Sequence, residues 1–296
     1  MKLNNIIKMK IAELVGNGKL LELEVFFIQL LKDNINSFKN WNEIKQEPKQ
    51  GSNTYFLLKF YEFIKNVNRN NFDNLPFSVF SIGNSKLPFL NFSTLPAVTC
   101  SGAGDCLKWC YSFKAWRYPA AFFKQCQNTI LMDNFPVIES ELKKVINKPK
   151  LKSLNKIDFR LYVDGDFKTH GNFISWMTLL KNNPKLNAYG YSKSLNIILD
   201  CVNKFRIDVP KNYVLNLSNG GLYDNLFNEL YKFDFVRGNF EALNITSKTK
   251  VSDIRKTYTN KKIFICPSLC GSCTSIGHAC GNNDIFKNYS IVIPKH

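Results

Sequence analysis

IDFRLYVDGDF (157–167), LNAYGYSKS (186–194) and YVLNLSNGG (213–221) decide the fold. Each opens with a short run of apolar and aromatic residues and ends in a polar cluster, DGD, SKS or SNGG. Between them lie FISWMTLLKNN (173–183) and LNIILDCVNKF (195–205), whose apolar spacing is helical, with Asn183-Pro184 closing the first. ALNIT (242–246) and KIFIC (262–266) add two more strand-like runs, and YDNLFNELYKF (223–233) another helical one. Strand and helix alternating in this way predict an α/β fold built on parallel strands, as a partial parallel (β/α) barrel or an open parallel sheet. Sites in such folds gather at the strand ends, where the polar clusters stand.

Working outward, residues 1–75 read as an N-terminal helical region, with breaks at Gly16–Gly18 and Pro48–Asn53. LLELEVFFIQLL (20–31) is too short and too often interrupted by Glu to span a bilayer, and reads as a buried helix. Leu-Pro pairs at 75–76, 87–88 and 95–96 forbid long helices there. Pro119 and Pro136 suit the first turns of two helices that follow. Residues 76–265 then form the α/β core with a first cysteine loop, and residues 266–296 a C-terminal cysteine-rich loop segment that binds metal.

The chain has 296 residues, 45% of them hydrophobic, which is ample for a core and excludes wholesale disorder. No continuous apolar leader opens it, so the expectation is a protein of the cytoplasm with no membrane partner. Thiols stay reduced there, and nine cysteines then point to metal or catalysis rather than disulfides. The net charge of +17 suggests nucleic acid as a partner, although Lys-rich composition alone also produces it. Its densest runs are Lys143–Lys156 and Lys248–Lys262.

Cys266, Cys270, Cys273 and Cys280 fall within fifteen residues, just after a strand-like run, among Pro267, Gly271, Gly277 and Gly281. Four thiolates suit zinc or an iron–sulfur cluster. The spacing lacks the two close pairs usual for zinc, which favours iron–sulfur of the 4Fe-4S type. Cys100, Cys106 and Cys110 form a looser trio, with Gly102-Ala103-Gly104 giving the loop flexibility. Three ligands on a four-iron cluster leave one coordination position open to a small molecule. Cys126 is either a fourth ligand or a core thiol, the two stretches hold one cluster or two, and Cys201 reads as core.

Asp164-Gly165-Asp166 reads either as a ligand-binding turn or as a local Asx turn, and Ser192 or Ser194 as a helix cap. Lys193 is placed to reach an anionic ligand near that helix start. Asn219-Gly220-Gly221 is first a turn. His278 is a spare ligand, since four cysteines suffice. No Ser-His-Asp or Cys-His pair, P-loop or dinucleotide fingerprint is present.

SIGNSKLPFLNFSTLPAVTCSGAGDCLKWCYS (81–112), the segment RLYVDGDF…YGYSKS and the terminal cysteine group together resemble the phage gene-product-eighty-eight family, over roughly residues 81–280. The resemblance implies a phage or mobile-element protein that binds iron–sulfur, distantly similar to radical S-adenosylmethionine enzymes. Those are partial (β/α) barrels with a cysteine trio after the first strand. By that analogy Cys100, Cys106 and Cys110 hold the open cluster, the second group an auxiliary one, and Gly165, Asp166, Ser192, Lys193 and Ser194 bind a cofactor, S-adenosylmethionine being the candidate. The trio departs from the usual three-then-two spacing, having five then three intervening residues, whereas Cys266, Cys270 and Cys273 keep it at the far end of the chain. The alternative is a basic nucleic-acid-binding protein whose metal is structural.

Overall fold

A computed structural model describes residues 3–34, 50–243, 249, 251–259, 261–267, 270, 271, 273–275 and 277–294. The chain divides into two compact units, Met1–Val79 with Ser112–Glu141, and Phe80–Tyr111 with Leu142–His296.

In the first unit, helices α1 (Asn5–Gly16), α2 (Leu20–Asn34), α3 (Asn53–Val67) and α4 (Pro119–Leu131) pack on one another. Asn4 and Ser52 cap α1 and α3, their side chains accepting from the amides of Ile7 and Tyr55. Pro119 opens α4 as its sequence position predicts. The core is aromatic: Phe27, Phe60, Phe63, Phe122 and Phe123 are all but fully buried, each worth about 1.5–3 kcal/mol of burial. α2 is only half the buried helix that its composition suggests. Leu23, Phe27 and Leu31 face the core, whereas Leu21 and Val25 are 72% and 67% exposed. An apolar run longer than one helical stripe must show some of its residues to water.

The second unit is a seven-stranded open sheet in which every strand pair is parallel. Its strands are β1 (Leu90–Asn91), β2 (Ile157–Leu161), β3 (Leu186–Ser192), β4 (Tyr213–Ser218), β5 (Val236–Leu243), β6 (Ile263–Ile265) and β7 (Ser290–Pro294), in the order β1-β2-β3-β4-β5-β7-β6. This settles the choice between barrel and open sheet. The expected strand at 242–246 begins earlier, at Val236, and residues 244–246 lie outside the described residues. The expected helix at 223–233 shrinks to a 3-10 turn, Asp224–Leu226, and four helical residues, Phe227–Leu230, because the Asp224 carboxylate is turned back onto the amides of Gly220 and Gly221.

Strand alternation gives the sheet two different faces. Phe159 on one face meets Trp176 of the helix His170–Lys181, at 5.8 Å between ring centroids. Asp158 and Arg160 on the other face stand in register with Asn187 and Tyr189. Central β4 is buried along its whole length, as a strand covered on both sides must be. Among the described residues no helix is long and apolar enough to cross a membrane.

Candidate metal centre

The first cysteine loop is laced to three strand ends of the sheet. After β2, the Phe167 carbonyl accepts from Ser101 Oγ at 3.2 Å. After β3, Ser101 Oγ also lies 2.9 Å from Ser194 Oγ. After β4, the Cys106 amide donates to the Gly220 carbonyl at 3.2 Å, and the Leu222 amide to the Gly102 carbonyl at 2.9 Å. The fit is tight: a β-carbon on Gly102 would stand 1.7 Å from the Lys193 carbonyl oxygen.

Asp166 is the post on which this lacing hangs. Its carboxylate accepts from Ser192 Oγ at 2.7 Å, from the Lys193 amide at 2.7 Å, from the Ser194 amide at 3.2 Å and from the Phe167 amide at 2.8 Å. Burial raises its pKa against the pull of these donors. Gly165 before it takes φ +83°, and a side chain there would strike Thr94 Oγ1 at 2.0 Å. Ser194 occupies the N-cap position of the helix Leu195–Asn203 but its side chain does not cap it, Oγ lying against Ser101 instead, while its amide donates to Asp166 and Ser192 Oγ. The Lys193 ammonium donates to Ser218 Oγ. Gly165, Asp166, Ser192, Lys193 and Ser194 are thus gathered in one place, with the Asp166 carboxylate bonding the SKS turn and Ser194 Oγ joining that turn to the loop.

Within the loop, Cys106 is buried in the 3-10 turn Asp105–Trp109, and Cys100 and Cys110 are part-buried. Burial pushes the Cys100 thiol up, and the nearby Asp166 and Cys110 add to it. Cys126 is fully buried in α4 of the first unit, and Cys201 is fully buried in Leu195–Asn203.

The second cysteine stretch lies on the sheet face of Asp158 and Arg160. Cys266, Cys270, Cys273 and Cys280 all pack against one apolar cluster that contains Phe89, Tyr189, Val214 and Ile291. Cys273 Sγ accepts from the Ala279 amide at 3.4 Å. Burial pushes the Cys280 thiol up to about 12, opposed by Tyr191 and Arg237. His278 is engaged elsewhere: its Nδ1 accepts from the Gly281 amide, and its Nε2 faces Asp158 at 3.6 Å. Ser268, Leu269, Ser272 and Ile276 lie outside the described residues. Among the described residues, no three His, Cys, Asp or Glu side chains are gathered into metal-ligating geometry.

Sequence reasoning missed two charged residues. Arg237 is fully buried, donating from Nε to Asn216 Oδ1 at 2.5 Å and from its terminal nitrogens to the carbonyls of Phe286, Tyr289 and Asn239. Asn216 in turn donates to the Gly190 and Cys280 carbonyls, both at 3.0 Å. Arg160 lies over the Tyr191 ring at 4.9 Å, close enough to Cys270 for the two charges to interact. Among the described residues neither arginine pairs with a carboxylate. The signal was an arginine inside an apolar strand run, IDFRLYV, which a two-residue period assigns to a sheet face. A fully buried Arg237 whose partners among the described residues are all neutral suits an anionic neighbour, which a centre ligated by several thiolates is.

A family model described as Gene product 88 matches residues 64–263. No curated protein matches the chain. No solved structure matches it either.

Proposed function

The chain belongs to the phage gene product 88 family, and from that premise we propose that it is an iron–sulfur protein. Cys266, Cys270, Cys273 and Cys280 would hold a closed centre, and Cys100, Cys106 and Cys110 an open one. The observation that carries this reading is Arg237. A fully buried guanidinium keeps its charge, and every partner it has among the described residues is neutral. It faces Cys280, so thiolate charge there would supply the missing counter-charge. The Ala279 amide donates to Cys273 Sγ, a bond that a ligating sulfur would keep. Burial favours the protonated thiol at Cys100, Cys270 and Cys280, so ligation there is coupled to proton release.

Such a group supplies one-electron chemistry when bound, and three ligands would leave the open centre a position for a small molecule. S-adenosylmethionine is the candidate, which makes a radical-type enzyme the fuller form of this proposal. The part played by Asp166, Ser192 and Ser194 is positional: they hold the loop of the trio against the strand ends.

Metal analysis of anaerobically purified protein tests the proposal. Iron with acid-labile sulfide is the expected result. Zinc at stoichiometry without iron overturns it. The enzymatic form is tested separately, by incubating the dithionite-reduced protein with S-adenosylmethionine and looking for 5′-deoxyadenosine and methionine.

A second reading, nucleic-acid binding, is favoured by a cation–aromatic step in the first unit. Tyr118 is 62% exposed and Phe113 37%, with Lys114 and Arg117 beside them and the Arg117 guanidinium 5.8 Å from the Tyr118 ring. Exposed aromatics among cations are how sequence-tolerant single-strand binders stack bases.

A further inference from the structure

We propose that Arg160 anchors a subsite for a small oxyanion, the carboxylate or phosphate group of a ligand, between the two cysteine stretches. The residue projects from β2 in register with Tyr189. On one side is Tyr111, which directly follows Cys110, and on the other are the Tyr191 ring and Cys270. Tyr111 is fixed there by donating its hydroxyl to the Val163 carbonyl at 3.0 Å and is 42% exposed as a whole, and Arg160 itself is part-buried, at the border between the interior and solvent.

The donors of Arg160 are almost unused. One terminal nitrogen makes a long 3.4 Å contact with Tyr111 Oη, and the buried Nε has no hydrogen-bond partner among the described residues. Among the described residues no carboxylate pairs with it. A guanidinium offers five N–H groups in a rigid fork and does not lose its proton in a protein. The flanking tyrosines supply no charge at neutral pH. Arg237, a few strands away on the same sheet, shows what a structural arginine looks like here: Nε and both terminal nitrogens are bonded. An arginine left unsatisfied beside a part-exposed tyrosine is the arrangement that receives an oxyanion through two parallel N–H bonds.

The subsite goes beyond the metal reading and does not depend on it. Its test uses full-length, anaerobically purified protein, with inorganic phosphate and malonate as probes and sodium chloride as the ionic-strength control. Phenylglyoxal, which attacks guanidinium, reports on Arg160 by peptide mass spectrometry in unmutated protein. Saturable protection of Arg160 by either probe is expected. Phosphate protecting alone points to a phosphorylated ligand, and malonate alone to a carboxylate. The same probes should raise the melting temperature saturably, and R160Q should weaken that binding about tenfold or more, with R160K intermediate. Equal modification of Arg160 with and without probe overturns the proposal, as does an Arg160 closed to the reagent, or a saturable thermal shift that survives in R160Q. Iron content of the same sample reports separately on the metal reading.

Discussion

Asn216 bonds Arg237 with one end of its amide and the Cys280 backbone with the other. The central strand thereby ties a buried cation to the last cysteine of the second stretch. N216A would strand the Arg237 Nε and leave the Gly190 and Cys280 carbonyls without this donor. Losing several buried hydrogen bonds in one network should cost about 3 kcal/mol or more. N216D tests the mechanism further. It offers Arg237 a charge but turns an oxygen toward two carbonyls, so it should destabilise as well. Urea denaturation of both variants checks this. Wild-type stability in N216A would show that the network carries no weight.

Gly102 should tolerate no side chain. In G102A the new carbon would stand 1.7 Å from the Lys193 carbonyl oxygen, a backbone atom that cannot swing away. The loop must lift, which breaks its bonds to Ser194, Phe167 and Gly220. Limited proteolysis should then cut within residues 100–110, and the melting temperature should fall. Gly18 is the control. Unlike Gly102 it has positive φ, but a β-carbon there meets nothing within 4 Å, so G18A should cost only about 1 kcal/mol of backbone strain.

Much of this was legible in the sequence, and the gaps have physical causes. IDFRLYV, LNAYGY and YVLNLS announce themselves by apolar content, and parallel pairing follows from the helices between them. The two-residue β1 does not, because its pairing comes from Arg160 and Phe159 across the sheet rather than from its own sequence. Cysteine spacing marked both stretches. It did not show that Asp166 and the SKS turn hold the first loop, since that depends on contacts between residues 93 positions apart, as at Ser101 and Ser194. Nor does a charge in a strand reveal its partners: Arg160 and Arg237 look alike in sequence, and only the fold separates the bonded one from the unsatisfied one.

Asp166 gives a pH dependence whose sign is fixed by burial. Its folded pKa is raised above the unfolded value, so its ionisation favours the unfolded chain. The stability it lends is fully present below the ordinary carboxylate pKa of about 4 and is lost as pH rises through the raised folded value. D166N removes that slope. It also points an amide NH2 at the Lys193 and Ser194 amides, which should cost about 2 kcal/mol at neutral pH. Denaturation curves for both proteins across the acidic range decide it, and parallel pH profiles would remove Asp166 as the source.

Nucleic-acid binding through the Arg117–Tyr118 step predicts a salt-dependent shift of a single-stranded oligonucleotide in an electrophoretic titration. Affinity should fall linearly on a log–log plot against salt. Removing Tyr118 should cost about 1–3 kcal/mol of binding without changing the slope, while K114A with R117A should flatten it. No binding at low salt would end this reading.

The two cysteine stretches should separate under mutation if they hold separate centres. They sit at different places on one sheet, the first laced to the ends of β2, β3 and β4, the second on the face that Tyr189 and Val214 present. C270S and C280S should therefore abolish one share of the iron and leave the other, whereas C106S and C110S should do the reverse. C201S and C126S should leave iron unchanged while lowering stability by about 1–3 kcal/mol, because a more strongly hydrated hydroxyl replaces a thiol in a fully buried site. The measurement is iron and sulfide per chain for each variant, with circular dichroism confirming the fold. Loss of all iron from a single substitution in either stretch would mean one shared centre. Loss of iron in C126S would bring Cys126 out of the core and into the ligand set.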